Sequence, residues 1–131
     1  MKNIVFICIE NSNRSQMAQA FAKLHAKDIN AYSAGSKPSG IINPRAIAAM
    51  KEIGYDLTQQ RSTSTEELPS VKFDYLVTMG CGDTCPYVPA ENRIDWNIPD
   101  PKNMEPNEFR AVRDLIEMKV KTLLNEIKNQ K

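Results

Sequence analysis

The chain has 131 residues, enough for one domain with a substantial core, and its 17 Lys and Arg nearly balance its 16 Asp and Glu. This balance argues against a broad basic surface for nucleic acid or an anionic membrane. No apolar run approaches membrane-spanning length, and the N-terminus lacks the long apolar region of a signal peptide. We therefore expect a single domain over residues 1–131, cytoplasmic and monomeric, with no nucleic-acid or membrane partner.

A strand, a loop and a helix are predicted at the start of the chain. Residues 2–7 form a short apolar run with the β-branched and aromatic content of a buried strand. A helix follows from the region of residue 15, and its apolar face consists of Met17, Phe21 and Leu24. His25, the only histidine, falls at the end of this helix, and we expect it to be solvated and without a catalytic role.

The loop between them, CIENSNRS over residues 8–15, holds a cysteine and an arginine separated by five residues. A strand–loop–helix junction directs backbone N–H groups and the positive end of a helix dipole at one spot, which suits a tetrahedral oxyanion. The same field favours the thiolate form of Cys8, and the planar guanidinium of Arg14 can bind two anion oxygens. Ser15 can either cap the helix or donate to the Cys8 sulfur. The alternative is a small buried cysteine beside an unrelated surface arginine.

Strands and helices alternate along the rest of the chain. Further strands are predicted over residues 31–35, 73–79 and 93–98. Further helices are predicted over 43–53, with Asn43 and Pro44 at its start and Gly54 as its stop, over 64–68, and from Pro106 to about 127. The last of these has an apolar face formed by Phe109, Val112, Ile116, Val120, Leu123 and Ile127.

This alternation predicts an α/β fold with a parallel sheet covered by helices on both faces. Ligands of such sheets bind at the carboxyl ends of the strands. Cys8, Cys81, Cys85 and Asp100 all follow predicted strands, so the topology can gather them at one edge. Three cysteines are an odd number, and in a reducing compartment they indicate chemistry rather than a structural disulfide framework.

Five segments of the sequence resemble one known family. They are CIENSNRSQMA from residue 8, YSAG from 32, NPRAIAAMKEIG from 43, VTMGCGDTCP from 77, and the Asp-Pro pair at 100. Together they are similar to the low-molecular-weight protein tyrosine phosphatase fold, and more closely to its thioredoxin-coupled arsenate reductase branch, from residue 3 to about 127. The resemblance implies a three-layer sandwich with a four-stranded parallel sheet.

The resemblance also implies roles for the loop residues. Cys8 would attack the arsenic of arsenate, and Arg14 with the loop amides would hold the oxyanion. Ser15 would support the thiolate and Asn11 the shape of the loop, and the other oxyanion-binding or supporting members would be Glu10, Ser12 and Asn13. Asp100 would be the general acid that protonates the leaving oxygen, with Asp95 as its nearest competitor; otherwise Asp100 is an ordinary turn residue before proline.

Cys81 and Cys85 distinguish the reductase branch, because reducing As(V) to As(III) requires two electrons that thiols can supply. By the resemblance, Cys81 would attack Cys8, and Cys85 would resolve the disulfide for thioredoxin or another thiol reductant, with no cofactor. The spacing of Cys81 and Cys85 is tighter than in the best-known members, so their order of attack stays open. Two ordinary loop thiols, or a zinc site completed by Cys8 and His25, are the alternatives.

Some family members bind a potassium ion beside the loop. The matching positions here are Asn11, Gln19, Ser33 and Thr63, in which neutral groups replace two carboxylates. Hard cations prefer charged oxygen ligands, so we expect this site to be weak or absent and assign no metal ligands.

Two other functions remain open at this point. A phosphatase would use the same loop to hydrolyse phosphomonoesters, although no aromatic pair lies beside Asp100 to hold a phosphotyrosine ring, since Lys102 follows Pro101. A non-enzymatic domain would bind an oxyanion or sense redox state without turnover. Glu10 places a negative charge at the rim of the loop, which disfavours extended acidic ligands.

Overall fold

The computed structural model describes residues 2–80 and 88–129. These residues contain four strands and three α-helices, in the order β1 (Lys2–Cys8), α1 (Arg14–His25), β2 (Ile29–Gly35), α2 (Pro44–Lys51), β3 (Phe73–Met79), β4 (Ala90–Trp96) and α3 (Pro106–Asn129). Two 3₁₀ turns lie between α2 and β3, at Leu57–Gln59 and Thr65–Glu67.

The strands form one parallel sheet in the order β2-β1-β3-β4. β1 is central: it pairs with β2 from Lys2 opposite Ile29 to Cys8 opposite Gly35, and with β3 on its other side. Because all four strands are parallel, their carboxyl ends meet at one edge of the sheet. The predicted α/β fold with a four-stranded parallel sheet is confirmed.

Period-two alternation along β1 divides the core into two parts. Ile4, Phe6 and Cys8 belong to the larger cluster, to which all three α-helices contribute. Val5 and Ile7 belong to a smaller cluster on the other face, against which Leu68 packs just after the second 3₁₀ turn. The apolar positions predicted on α3 are all buried, each contributing about 1.5–3 kcal/mol of burial free energy.

Both ends of α2 have the predicted signals. The Asn43 side chain accepts a hydrogen bond from Arg45 N at 2.8 Å, and Pro44 is the first helical residue. At the other end Tyr55 N donates to Met50 O and Gly54 N to Lys51 O, both at 3.0 Å, with Gly54 at φ +87°. These are the two hydrogen bonds of a Schellman motif with Gly54 at C′, so Gly54 stops the helix as predicted. The regular α-helix itself ends at Lys51, two residues before the predicted end.

Three predictions differ from the structure in detail. β4 spans Ala90–Trp96 rather than 93–98, because this edge strand forms through pairing with β3 and not through an apolar run. Leu24 is 48% exposed and so falls outside the apolar face of α1. The predicted helix over 64–68 is only a 3₁₀ turn, although its Ser64–Glu67 capping box is formed.

His25 connects two helices at the sheet edge opposite Cys8. Its ring stacks on Phe21 with 6.2 Å between centroids, and its Nε2 lies 2.8 Å from Glu117 Oε2 of α3. Its position agrees with the expectation that it has no part in the loop. None of the described helices combines the length and the apolar character needed to cross a membrane.

Glu52, at the end of α2, ties this helix to α3. Its carboxylate accepts hydrogen bonds from Arg110 Nη2 and Arg113 Nη1, both at 2.8 Å. Hydrogen bonds from Arg110 and then Arg113 lower the pKa of Glu52 from 4.5 to about 2. Because the pKa is lowered by folding, this pairing stabilises the protein above about pH 4.5, and the contribution is lost as the pH falls toward 2.

We therefore expect Glu52→Gln to lower the urea midpoint of unfolding modestly at pH 7, since the carboxylate is exposed and screened by solvent. The difference from the unmutated protein should shrink progressively below pH 4.5, where the unfolded-state carboxyl is protonated. Urea titrations between pH 3 and 8 measure this, with the exposed Glu126→Gln on α3 as control. A deficit for Glu52→Gln that does not vary with pH would contradict the assignment.

Candidate active site

Cys8 is the last residue of β1 and lies at the edge of the sheet where the carboxyl ends of the strands meet. Its side chain is buried, with only 3% exposure. Beside it is a cavity of about 70 Å³, well below the ~300 Å³ at which pockets for drug-sized ligands begin. The residues that line this cavity are Cys8, Ile9, Glu10, Ser12, Asn13, Arg14 and Asp100. The structure thus brings together the cysteine, the arginine and the aspartate that the sequence singled out.

The carbonyl groups of the loop bond to the surrounding chain. Lys37 N donates to Ile9 O at 2.9 Å, Ser39 N to Glu10 O at 3.1 Å, Gln16 Nε2 to Asn11 O at 3.0 Å, and Asn43 N to Ser12 O at 3.2 Å. In a trans peptide the N–H of the next residue points opposite to the carbonyl. The N–H groups of residues 10–13 therefore point away from these partners, toward the side of the loop on which an oxyanion would lie.

Asn11 holds the loop in an unusual backbone conformation. Its φ is +51°, in the left-handed region that asparagine tolerates better than most residues. Its Oδ1 accepts hydrogen bonds from Thr63 N and Gln16 Nε2, both at 2.9 Å. These contacts connect the loop to the segment at Thr63 and to the first turn of α1.

Gly35, at the end of β2, lets the loop lie directly against the strand. A Cβ atom there would lie 2.5 Å from Ile9 O and 3.0 Å from Asn11 N. Any larger residue would therefore push the loop outward and disturb the direction of its N–H groups.

Ser15 lies within hydrogen-bonding distance of the nucleophile candidate. Its Oγ is 2.8 Å from Cys8 Sγ, and Asn11 Nδ2 donates to the same Oγ at 2.7 Å. α1 begins at Arg14, so Ser15 lies in its first turn and serves the sulfur rather than capping the helix. Asn13 occupies the N-cap position without a side-chain cap, and its buried Oδ1 has no hydrogen-bond partner among the described residues.

Arg14 is buried, with 7% exposure, and its guanidinium is anchored. Nη1 donates to Ile98 O at 3.0 Å, and Nη2 lies 3.9 Å from Asp100 Oδ2. Gly80, at φ +77°, follows β3 and makes room for the guanidinium, because a Cβ there would collide with Nη1. No sequence pattern indicated this packing role of Gly80.

Asp100 satisfies the geometric requirement for the acid better than Asp95 does. Its side chain is 48% exposed at the cavity, and Oδ1 accepts from Lys102 N at 3.1 Å, so it is also a turn residue. Asp95 lies on β4, accepts from Thr78 Oγ1 at 2.8 Å and does not line the cavity. Of the two candidates, only Asp100 faces the cavity that Cys8 lines.

Glu10, which lines the cavity, forms an ion pair with Lys102. Lys102 Nζ lies 3.1 Å from Glu10 Oε2, which joins the loop to the segment that carries Asp100. The negative charge of Glu10 is therefore paired with a cation. The sequence pointed to Glu10 but not to its partner.

Cys81 and Cys85, predicted as the second and third thiols, lie outside the described residues. Their segment begins directly after Gly80, at the carboxyl end of β3. β3 pairs with β1 up to Ile7 opposite Thr78, so the two strands end side by side. The relay remains a prediction, with two ordinary loop thiols or a zinc site as its alternatives.

The residues that match the family's cation position form hydrogen bonds with one another. Gln19 Oε1 accepts from Ser33 Oγ at 2.5 Å, and Gln19 Nε2 donates to Ala31 O at 3.2 Å. Thr63 Oγ1 donates to Ser33 O at 3.1 Å. These neutral groups bond to one another, and the set contains no carboxylate for a hard cation.

The comparisons with known proteins agree on one family. Residues 3–131 match the family of the low molecular weight phosphotyrosine protein phosphatase. The arsenate reductase of Halalkalibacterium halodurans is 40% identical over 132 residues, covering 92% of this chain and 94% of the relative. A solved arsenate reductase in the phosphate-binding state is 36% identical with a TM-score of 0.85, covering 97% and 99%. The thioredoxin-dependent arsenate reductase of Corynebacterium glutamicum is 27% identical with a TM-score of 0.81, covering 100% and 64%.

We expect Gly80→Ala to weaken the binding of inorganic phosphate about tenfold or more. The added methyl displaces the Arg14 guanidinium, and a hydrogen bond to a charged group contributes about 1.5–3 kcal/mol. Gly54→Ala is the matched control, since Gly54 also has a positive φ of +87° but nothing lies within 4 Å of a Cβ there. Calorimetric titration with phosphate measures both, and equal affinities in the two variants would contradict the role of Gly80.

Proposed function

The chain belongs to the low molecular weight phosphotyrosine protein phosphatase family, and we propose that it acts within this family as an arsenate reductase. The observation that carries the proposal is the gathering of the Cys8 thiol, the Arg14 guanidinium and the Asp100 carboxyl around one small cavity. Relatives named arsenate reductases, alike over nearly the whole chain, support the same substrate.

In the first step the Cys8 thiolate attacks the arsenic of arsenate. The loop N–H groups and Arg14 bind the oxygens, and they offset the negative charge as the bond forms. Asp100 gives its proton to the departing oxygen, which leaves as water. The product is a Cys8–arsenic(V) adduct, and no oxidation state has yet changed.

The second step transfers two electrons. The Cys81 thiolate attacks the Cys8 sulfur, and the electron pair of the sulfur–arsenic bond passes to arsenic. Arsenite, As(III), departs, and a Cys8–Cys81 disulfide remains. The cysteine segment follows β3 in the sequence, and β3 ends beside β1, which supports this pairing.

The third step restores Cys8. Cys85 attacks Cys81, which releases the Cys8 thiolate and leaves a Cys81–Cys85 disulfide for an external dithiol to reduce. We propose thioredoxin or a similar thiol protein as that dithiol, as in the Corynebacterium glutamicum relative. Such recycling requires a reducing compartment, which supports a cytoplasmic location. All the proposed groups come from one chain, so a monomer suffices.

Phosphomonoester hydrolysis is expected as a side activity, because it needs only Cys8, Arg14 and Asp100. The cavity is small, about 70 Å³, and its size favours small oxyanions over bulky phosphotyrosine peptides. Hydrolysis would then be slow with protein substrates.

Arsenate should drive NADPH oxidation when the protein is coupled to thioredoxin and thioredoxin reductase. Cys8→Ser, Cys81→Ser and Cys85→Ser should each abolish this turnover. Of these three variants, only Cys8→Ser should lose hydrolysis of p-nitrophenyl phosphate.

Mass spectrometry after one arsenate equivalent should find a Cys8–Cys81 disulfide in Cys85→Ser. Absence of arsenate turnover with every thiol reductant tried would refute the proposal. A Cys8–Cys85 disulfide in Cys81→Ser, with arsenite released at the normal rate, would instead reverse the order in which Cys81 and Cys85 attack.

Asp100→Asn should slow single-turnover arsenite formation about a hundredfold or more, the usual scale for loss of a general acid. Asp95→Asn is its control, since Asp95 lies near the same sheet edge but outside the cavity. Rapid-quench assays of arsenite compare the two. Similar rates in both variants would exclude Asp100 as the acid.

A further inference from the structure

A row of polar side chains runs behind the loop from the surface to the sulfur. We call it the donor row, and its members in order are Tyr55, Gln60, Gln16, Asn11, Ser15 and Cys8. We propose that Gln60 and Tyr55 are positioning residues, which act through this row to hold Cys8 as a hydrogen-bonded thiolate. The inference deepens the proposed function, because it rests on Cys8 as the nucleophile.

The row is continuous and mostly buried. Tyr55 Oη lies 2.9 Å from Gln60 Oε1, and Gln60 Nε2 lies 2.7 Å from Gln16 Oε1. Gln16 Nε2 then lies 2.9 Å from Asn11 Oδ1. Gln16, Asn11 and Ser15 are fully buried and Gln60 is 8% exposed, so water does not compete for these bonds in the inner part.

Backbone partners fix the direction of every amide in the row. Asn11 Oδ1 faces Thr63 N, which can only donate, so Asn11 must donate from Nδ2 to Ser15. Gln16 Nε2 faces Arg61 O at 2.8 Å, which can only accept. The oxygen of Gln16 must therefore face Gln60.

The same reasoning orients the outer end. Gln60 Nε2 faces the backbone oxygen of Gln16 at 3.0 Å, so Gln60 Oε1 faces Tyr55, and the tyrosine hydroxyl must donate. Burial, together with the charge of Asp56, raises the pKa of Tyr55 above 10, so this hydroxyl keeps its proton near neutral pH. All the amide and hydroxyl donors thus point toward Cys8.

The common direction of these hydrogen bonds affects the Cys8 sulfur. Asn11 Nδ2 occupies one lone pair of Ser15 Oγ, and a Cys8 thiolate, which can only accept, then receives the hydroxyl proton of Ser15. A thiolate accepts that proton, whereas a neutral thiol gains less from the contact. Bonds in a chain polarise one another, so removing an outer donor weakens the last bond as well.

The charged groups around Cys8 are separate from the row. Arg14 favours the thiolate, Asp100 opposes it, and Glu10 is paired with Lys102. No variant of Gln60 or Tyr55 removes any of these charges. A change in Cys8 ionisation in such variants would therefore come from the row.

The test is the pH profile of Cys8 alkylation by iodoacetamide, read by peptide mass spectrometry without arsenate. Gln60→Leu should move the profile to higher pH by about 0.3–1 unit. This shift corresponds to alkylation that is about two- to tenfold slower at acidic pH. Tyr55→Phe, which removes one oxygen and keeps the ring, should move it less in the same direction. Gln59→Leu, at an exposed neighbour outside the row, should leave it unchanged.

A folded Gln60→Leu protein whose profile matches that of Gln59→Leu would overturn the proposal. If circular dichroism shows that Gln60→Leu is unfolded, Tyr55→Phe decides alone, and an unshifted profile there refutes the role of the row. Alkylation needs no turnover, so a shifted profile in a protein that fails to reduce arsenate would refute the reductase and leave the donor row standing.

Discussion

The site depends on one constraint, the outward hydrogen bonding of the loop carbonyls. Backbone N–H groups of Lys37, Ser39 and Asn43, which lie between β2 and α2, hold three of the four peptide units. The connection between β2 and α2 is therefore part of the binding machinery, although none of its side chains lines the cavity. Preorganisation of this kind means that the anion does not have to order the loop when it binds.

Two independent sets of groups converge on the same sulfur. From the cavity side, Arg14 and the start of α1 supply positive charge that a thiolate and an oxyanion share. From the protein side, Ser15 and the amides behind it supply oriented dipoles. A bound anion offsets part of the positive charge of the first set, but it does not affect the dipoles of the second set. The Cys8 thiolate therefore keeps its hydrogen-bond support while a negatively charged substrate is bound.

The sequence predicted β1 and β3 almost to the residue, because both are apolar runs buried on two faces. It also predicted that Cys8, Arg14 and Asp100 would meet, since parallel strands bring their carboxyl ends together. The predicted range of β4 was wrong because the position of this edge strand is determined by its pairing with β3. No sequence pattern pointed to Gln60, because its proposed role depends on a contact with Gln16, which is 44 residues away in the chain. The roles of Cys81 and Cys85, and the single-domain assignment, remain predictions.

The length of β1 separates the chemistry from the start of the chain. Lys2 begins the strand and Cys8 ends it, and seven extended residues span roughly 20 Å. A purification tag or an immobilising linker attached before Lys2 would thus emerge at the face opposite the cavity. The same strand that delivers the thiol keeps this attachment point clear of an approaching reductant.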